Sequence, residues 1–246
     1  MYRITCGDSG TESLLDVNGQ GACFLAYDSD GHLDLYLTNY GLNRLYRNSG
    51  GEFLDILEAA GVSGPDWKPA KWSMGAEFAD IDNDGDQDLN VVNDSSPNFY
   101  CTNREDRTFE DVSWESAGTV NEHGESEGSK GLTVGDYNND GRLDIFISNF
   151  VKQSNTLYEN DGDNLLLDQT TALGLDPVGF NFSGWGTKFF DFDNDGWLDL
   201  FVTSGHSDER LELSFPSDSM LSPTACCGTN PVRGSWTLPA KPVFAR

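Results

Sequence analysis

The chain has 246 residues, of which 41 are acidic and 15 basic, giving a formal charge of −26. A surface this anionic disfavours nucleic acid and acidic membranes, which are negative themselves, and no apolar run is long enough for membrane insertion. The five cysteines, Cys6, Cys23, Cys101, Cys226 and Cys227, follow no zinc-like or disulfide-framework spacing, and the odd number leaves one thiol over.

Residues 1–18 read as an incomplete lead-in, and Met1-Tyr2-Arg3-Ile4-Thr5-Cys6-Gly7-Asp8 lacks the apolar segment of a secretory signal. The chain therefore reads as mature or truncated, or as never exported. Four acidic loops then follow: Ala26–Asp34, Asp80–Asp88, Asp136–Asp144 and Asp191–Asp199. The Asp before each loop glycine stands 54, 56 and 55 residues from the next, a spacing that marks repeated supersecondary units.

The residues around each loop predict strands. Position ten is Leu35, Leu89, Ile145 and Leu200, and position twelve is Leu37, Val91, Ile147 and Val202, so apolar residues alternate on the exit side. On the entry side Phe24, Phe78, Val134 and Phe189 stand two residues before position one, with Gly21, Gly75, Gly131 and Gly186 three further back. A helix-loop-helix calcium hand would need Glu at position twelve, so these loops join two strands.

Further strand-like pieces follow within each unit, including Asn43–Asn48 and Phe53–Ile56, Asn98–Tyr100 and Phe109–Val112, and Asn155–Asn160 and Leu165–Gln169. Four short strands per unit describe a propeller blade, so the fold class is all-β: a partial β-propeller of three complete four-stranded blades plus the start of a fourth. The blades span 19–73, 74–129 and 130–184, with the first half of a fourth over 185–206. Residues 207–246 contain no acidic loop and no alternating strand, and are left unassigned as a disordered or frame-shifted tail. Trp67, Trp72, Trp114, Trp185 and Trp197 are expected to fill the wedges between blades, and His32, His123 and His206 to be surface or loop residues.

The loop spacing Asp-x-Asp-x-Asp-Gly-x-x-Asp suits Ca2+. Side chains at positions one, three, five and nine offer oxygens to a common centre, position seven adds a backbone carbonyl, and the glycine allows the bend. The expected ligands are Asp28, Asp30, His32 and Asp34 in loop one, and Asp80, Asp82, Asp84, Asp86 and Asp88 in loop two. In loop three they are Asp136, Asn138, Asp140, Arg142 and Asp144, and in loop four Asp191, Asp193, Asp195, Trp197 and Asp199. His32, Asp86, Arg142 and Trp197 would act through backbone carbonyls. Ala26 leaves the first site short of a carboxylate and Asn138 weakens the third, so loops two and four are the most complete of up to four sites. The alternative is that these are ordinary Asp/Asn/Gly hairpin turns with no metal.

The runs Gly75–Gly85, Leu45-Tyr46-Arg47-Asn48, Asn93–Asn98 and Gly184–Val202 resemble FG-GAP/VCBS repeat proteins of the cartilage acidic protein and ASPIC/UnbV type. The resemblance covers roughly residues 18 to 206. It implies a fold similar to the integrin head, a ring of about seven blades with calcium in the hairpin loops. It also implies a secreted or surface protein that binds an extracellular protein or glycan. The expected function is a non-catalytic adhesion or binding scaffold. The alternative is a carbohydrate-binding module or a propeller-type polysaccharide-degrading enzyme, since paired carboxylates can cleave glycosides.

Overall fold

A computed structural model describes residues 21–63, 72–205, 225–230 and 235–237, the last two stretches as backbone strands. The described residues form sixteen strands and no helix. They fall into four antiparallel sheets of four strands, each a simple meander. Blade one holds β1 (Ala22–Leu25), β2 (Asp34–Leu37), β3 (Arg44–Ser49) and β4 (Glu52–Asp55), and blade two holds β5 (Trp72–Ala79), β6 (Asp88–Asp94), β7 (Phe99–Asn103) and β8 (Phe109–Asp111). Blade three holds β9 (Gly131–Gly135), β10 (Asp144–Ser148), β11 (Thr156–Asn160) and β12 (Leu166–Asp168), and blade four β13 (Gly184–Phe190), β14 (Asp199–Ser204), β15 (Ala225–Asn230) and β16 (Ser235–Thr237).

One register recurs in every blade. The residue after the ninth-position Asp pairs with the middle of the third strand: Leu35 with Tyr46, Leu89 with Cys101, Ile145 with Tyr158 and Leu200 with Cys227. The fourth pairing corrects the expectation for residues 207–246. Two strands lie there and complete blade four, although Ala225-Cys226-Cys227-Gly228-Thr229-Asn230 shows no apolar alternation. Strand pairing is made by backbone groups, so a segment can join a sheet without a patterned face. Blade two also begins earlier than residue 74, at Trp72, which continues the pairing of β5 with β6 out to Asp94.

Alternation in the second strand allots its two sides to two neighbours. Tyr36 of blade one packs with Leu89 and Val91 of blade two. Val92 of blade two packs with Ile145 and Ile147 of blade three, and Phe146 of blade three with Leu200 and Val202 of blade four. Each of these nine side chains is at most 3% exposed, so the core is three successive wedges between blades. Burial of each such side chain contributes about 1.5–3 kcal/mol before conformational entropy is counted.

The bulky wedge fillers are Tyr36, Tyr100, Phe146 and Tyr158, not the tryptophans expected from the sequence. Trp72 packs at a tilt on Tyr40, Trp185 and Trp197 are half-buried, and Trp114 is 60% exposed; Trp67 lies outside the described residues. A wedge closed by strands two and three takes residues from those strands, whereas Trp114 stands in a connection and Trp197 in a loop. Of the histidines, His32 and His123 are exposed as expected, and His206 lies outside the described residues.

Gly21, just before β1, and Gly131, the first residue of β9, serve close approach. A Cβ added at Gly131 would lie 1.9 Å from the carbonyl oxygen of Trp185, and one at Gly21 would lie 2.8 Å from that of Met74. The innermost strands β1, β5, β9 and β13 are thereby set side by side, and the four loops follow the first strand of each blade.

Candidate metal loops

The ninth-position aspartates form the floor of the loops. Asp34, Asp88 and Asp144 are completely buried and Asp199 nearly so. One oxygen of each accepts the backbone N–H of position two: Tyr27 at 3.1 Å, Ile81 at 2.9 Å, Tyr137 at 3.1 Å and Phe192 at 2.7 Å. In the first three blades the other oxygen accepts from the third strand, Asn48 at 2.8 Å, Asn103 at 3.0 Å and Asn160 at 2.9 Å. These asparagines also donate their side-chain amides to the position-eight carbonyls of Leu33, Gln87 and Leu143. In the first three blades the ninth Asp thus ties its loop to the second and third strands, as well as being a candidate ligand. Burial pushes the Asp88 and Asp144 carboxyls up to about 7, and raises that of Asp34, against the lowering effect of the two backbone donors.

The upper turn is equally regular. Position five accepts the N–H of position seven at 2.9 Å in all four loops, on Asp30, Asp84, Asp140 and Asp195. Position four takes a left-handed conformation, with φ of 53° at Ser29, 60° at Asn83, 56° at Asn139 and 61° at Asn194. Asn tolerates that region best among non-glycine residues, which accounts for its recurrence there. Position six follows with Gly31, Gly85, Gly141 and Gly196, all at positive φ.

Position one separates the loops. In loops three and four both oxygens of Asp136 and of Asp191 accept backbone N–H groups, from Asp140 and Gly141 and from Asp195 and Gly196, at 2.9–3.0 Å. In loop two Asp84 donates instead to Asp82 at 3.2 Å, so Asp80 keeps one oxygen on Gly85 at 3.1 Å. Its other oxygen, Oδ1, is buried without a hydrogen-bond partner. Asp80, Asp82 and Asp88 bring carboxylate oxygens within 4.8 Å of one another, as do Asp191, Asp193 and Asp195. These are the loops with the fullest carboxylate sets. An unpaired buried carboxylate oxygen beside two more carboxylates fits a hard cation, which would satisfy the lone pairs and offset the repulsion.

Loops one and three hold guanidinium groups instead. In loop one, Ala26 supplies no side-chain oxygen, and Arg47 from β3 pairs with Asp28 at 2.7 Å and Asp30 at 3.3 Å. In loop three the Arg142 side chain turns back onto Asp140 at 2.5 Å and donates to the carbonyl of Asn160 at 2.6 Å. Asn138 stands at position three and accepts the N–H of Asp140 at 3.1 Å. His32, Asp86, Arg142 and Trp197 all occupy position seven, as the spacing requires.

Sequence reasoning did not assign the third-strand asparagines, the fourth-position asparagines or Arg47 to the loops. The first two were visible as Asn48, Asn103 and Asn160 and as Asn83, Asn139 and Asn194, each at one position of the repeat.

The model of the FG-GAP-like repeat matches three times, at residues 27–91, 80–147 and 136–202. Cartilage acidic protein 1 of Mus musculus is 27% identical over 186 residues, covering 71% of this chain and 27% of that protein. The Homo sapiens protein is 27% identical over 186 residues, covering 71% of this chain and 26% of its own length, and the Xenopus tropicalis protein is 33% identical over 86 residues. The chain thus spans about a quarter of the length of the mouse and human relatives. A solved structure described as showing specific recognition of non-reducing terminal N-acetylglucosamine by an Agrocybe aegerita lectin matches with a TM-score of 0.46 and 16% identity. That match covers 90% of this chain and 51% of the lectin chain.

Proposed function

We propose that this chain, which belongs to the FG-GAP-like repeat family, is a calcium-stabilised, non-catalytic binding scaffold of a secreted or surface protein. The observation that carries this reading is the buried, unpartnered Oδ1 of Asp80 beside Asp82 and Asp88, repeated in outline by Asp191, Asp193 and Asp195. At loop two the ion would be held by Asp80, Asp82, Asp84 and Asp88 with the Asp86 carbonyl, and at loop four by the equivalent residues. Calcium supplies charge neutralisation and fixed oxygen geometry to the hairpin. The carboxylates that bind it are not free to move protons, which argues for support over catalysis. Extracellular calcium modules are commonly filled only at the millimolar concentrations found outside the cell. The partner would be an extracellular protein or glycan, because the net charge of −26 opposes nucleic acid. Among the described residues no helix is long and apolar enough to cross a membrane.

Thermal unfolding in excess calcium and in chelator tests this. An ion that binds only the folded loops should raise Tm by about 5–10 °C per site at a hundredfold excess over Kd. Identical melting curves in the two buffers would refute it.

A second reading, direct glycan binding, is favoured by a cleft of about 220 Å³ between the connections that leave blades two and three. Asn121, Glu122, Glu127, Asp168, Asp176 and Phe180 line it, giving hydrogen-bonding groups beside a partly exposed ring. Screening on a glycan array, with Phe180→Ala as the control, tests this reading, and no binding to any glycan would refute it.

A further inference from the structure

Loop one differs from its relatives at two places that compensate each other. Ala26 removes the position-one carboxylate, and Arg47 brings a positive charge into the same loop. By strand register the residues equivalent to Arg47 are Thr102 in blade two, Glu159 in blade three and Gly228 in blade four, none of which carries a cation. The Arg47 guanidinium spans Asp28 and Asp30, the two carboxylates that would face an ion from positions three and five. The Asp28 side chain is 0% exposed and neither of its oxygens has a hydrogen-bond partner, so its contact with the Arg47 guanidinium is an ion pair shielded from water. A second guanidinium, Arg107 from beyond β7 of blade two, stands 3.9 Å from the same Asp28 oxygen. By contrast, among the described residues no arginine or lysine pairs with Asp80, Asp82 or Asp84, nor with Asp191, Asp193 or Asp195.

We propose that Arg47 is the resident cation of loop one, so that the first blade closes its hairpin on a guanidinium and takes no calcium. The inference rests on the calcium reading for loops two and four, and adds that the blades are not equivalent in their need for the ion. A planar, permanently charged guanidinium can bridge two carboxylates with fixed geometry. It cannot be removed by chelation. A calcium ion entering loop one would have to displace the guanidinium and would meet one carboxylate fewer than in loop two or four. Blade one therefore keeps its fold at calcium concentrations that empty loops two and four.

Nitrogen-15 NMR of the full chain, titrated with calcium from chelator, reads the loops separately. The amides of Gly85, Asp86, Gly196 and Trp197 are expected to shift on titration while those of Tyr27 and His32 stay in place. Shifts at Tyr27 and His32 with the same midpoint as the others would overturn the inference and leave the calcium reading intact. No shift at any of the six would overturn the calcium reading itself, and with it the contrast between blades. As a second measurement, native mass spectrometry of the Ala26→Asp, Arg47→Gln double variant should find one more calcium ion than in the wild type. An unchanged count in a variant that melts cooperatively would also overturn it.

Discussion

On the floor of the loops the bond from position two to the ninth Asp is repeated four times, while on the rim the charged side chains differ from loop to loop. Asp34, Asp88, Asp144 and Asp199 each receive the N–H of position two, and the first three also receive that of a third-strand asparagine. On the rim, position one is Ala26 in loop one and carboxylates elsewhere, position three includes Asn138, and arginines stand against Asp28, Asp30 and Asp140. The floor holds strands together by hydrogen bonds that every blade needs. The rim handles surplus negative charge, which can be met by an ion, by a guanidinium or by fewer carboxylates. The ninth Asp of this repeat is therefore weak evidence for metal on its own, and the discriminating residues are those at positions one and three and at the Arg47 position.

The contrast can be broken most directly at Asp88. Replacing it with Ala leaves the buried amides of Ile81 and Asn103 without acceptors, and should cost about 2–5 kcal/mol in chelator by urea unfolding. A cost equal to that of a rim substitution would dissolve the distinction. Next in size is the ion itself. Saturating calcium should contribute about 2.7 kcal/mol per filled site at a hundredfold excess over Kd, and a combined Asp82→Asn, Asp193→Asn variant should lose that gain while unfolding normally in chelator.

The titration of the floor gives a third handle. Asp88 and Asp144 are pushed up to about 7 by burial, so between the unfolded carboxylate value near 4 and pH 7 the folded chain holds protons that the unfolded chain has lost. In chelator, their contribution makes unfolding free energy fall as pH rises through that window, and Asp88→Asn should flatten part of the slope. The smallest effect belongs to the exposed rim. Asp193→Asn alone should change stability in chelator by no more than about 0.5 kcal/mol, while weakening calcium binding measured by calorimetry.

The repeat, the strand pairs around each loop and the order of the blades could be read from residues 21 to 205 because period-two alternation and turn chemistry are local properties. Phe24 is a case in point: its equivalents Phe78 and Phe189 pack on Tyr36 and Phe146 of the preceding blade, and all three occupy one position of the pattern. The pairing of β15 with β14 left no such signal, since Ala225–Asn230 is recruited by backbone pairing with a strand more than twenty residues earlier. The expectation that tryptophans fill the wedges failed for a related reason: which side of a strand meets a neighbour depends on how blades stack. Arg47 was visible only as a charged strand residue. Its partners Asp28 and Asp30 are brought to it by the hairpin, and sequence spacing does not show that approach.

The fourth strand of a blade is tied beyond its own sheet. Phe109 in β8 donates its N–H to the carbonyl of Ala60 in blade one at 2.9 Å, and Leu166 in β12 donates to Ser116 in blade two at 2.8 Å. An outermost strand would ordinarily fray first and exchange its amide hydrogens fastest. Here those two positions act as latches between consecutive units, so their deuterium uptake should be as slow as that of the central strands. The same latches mean that an opening begun in one unit is transmitted to the next, and the array should yield in linked pairs.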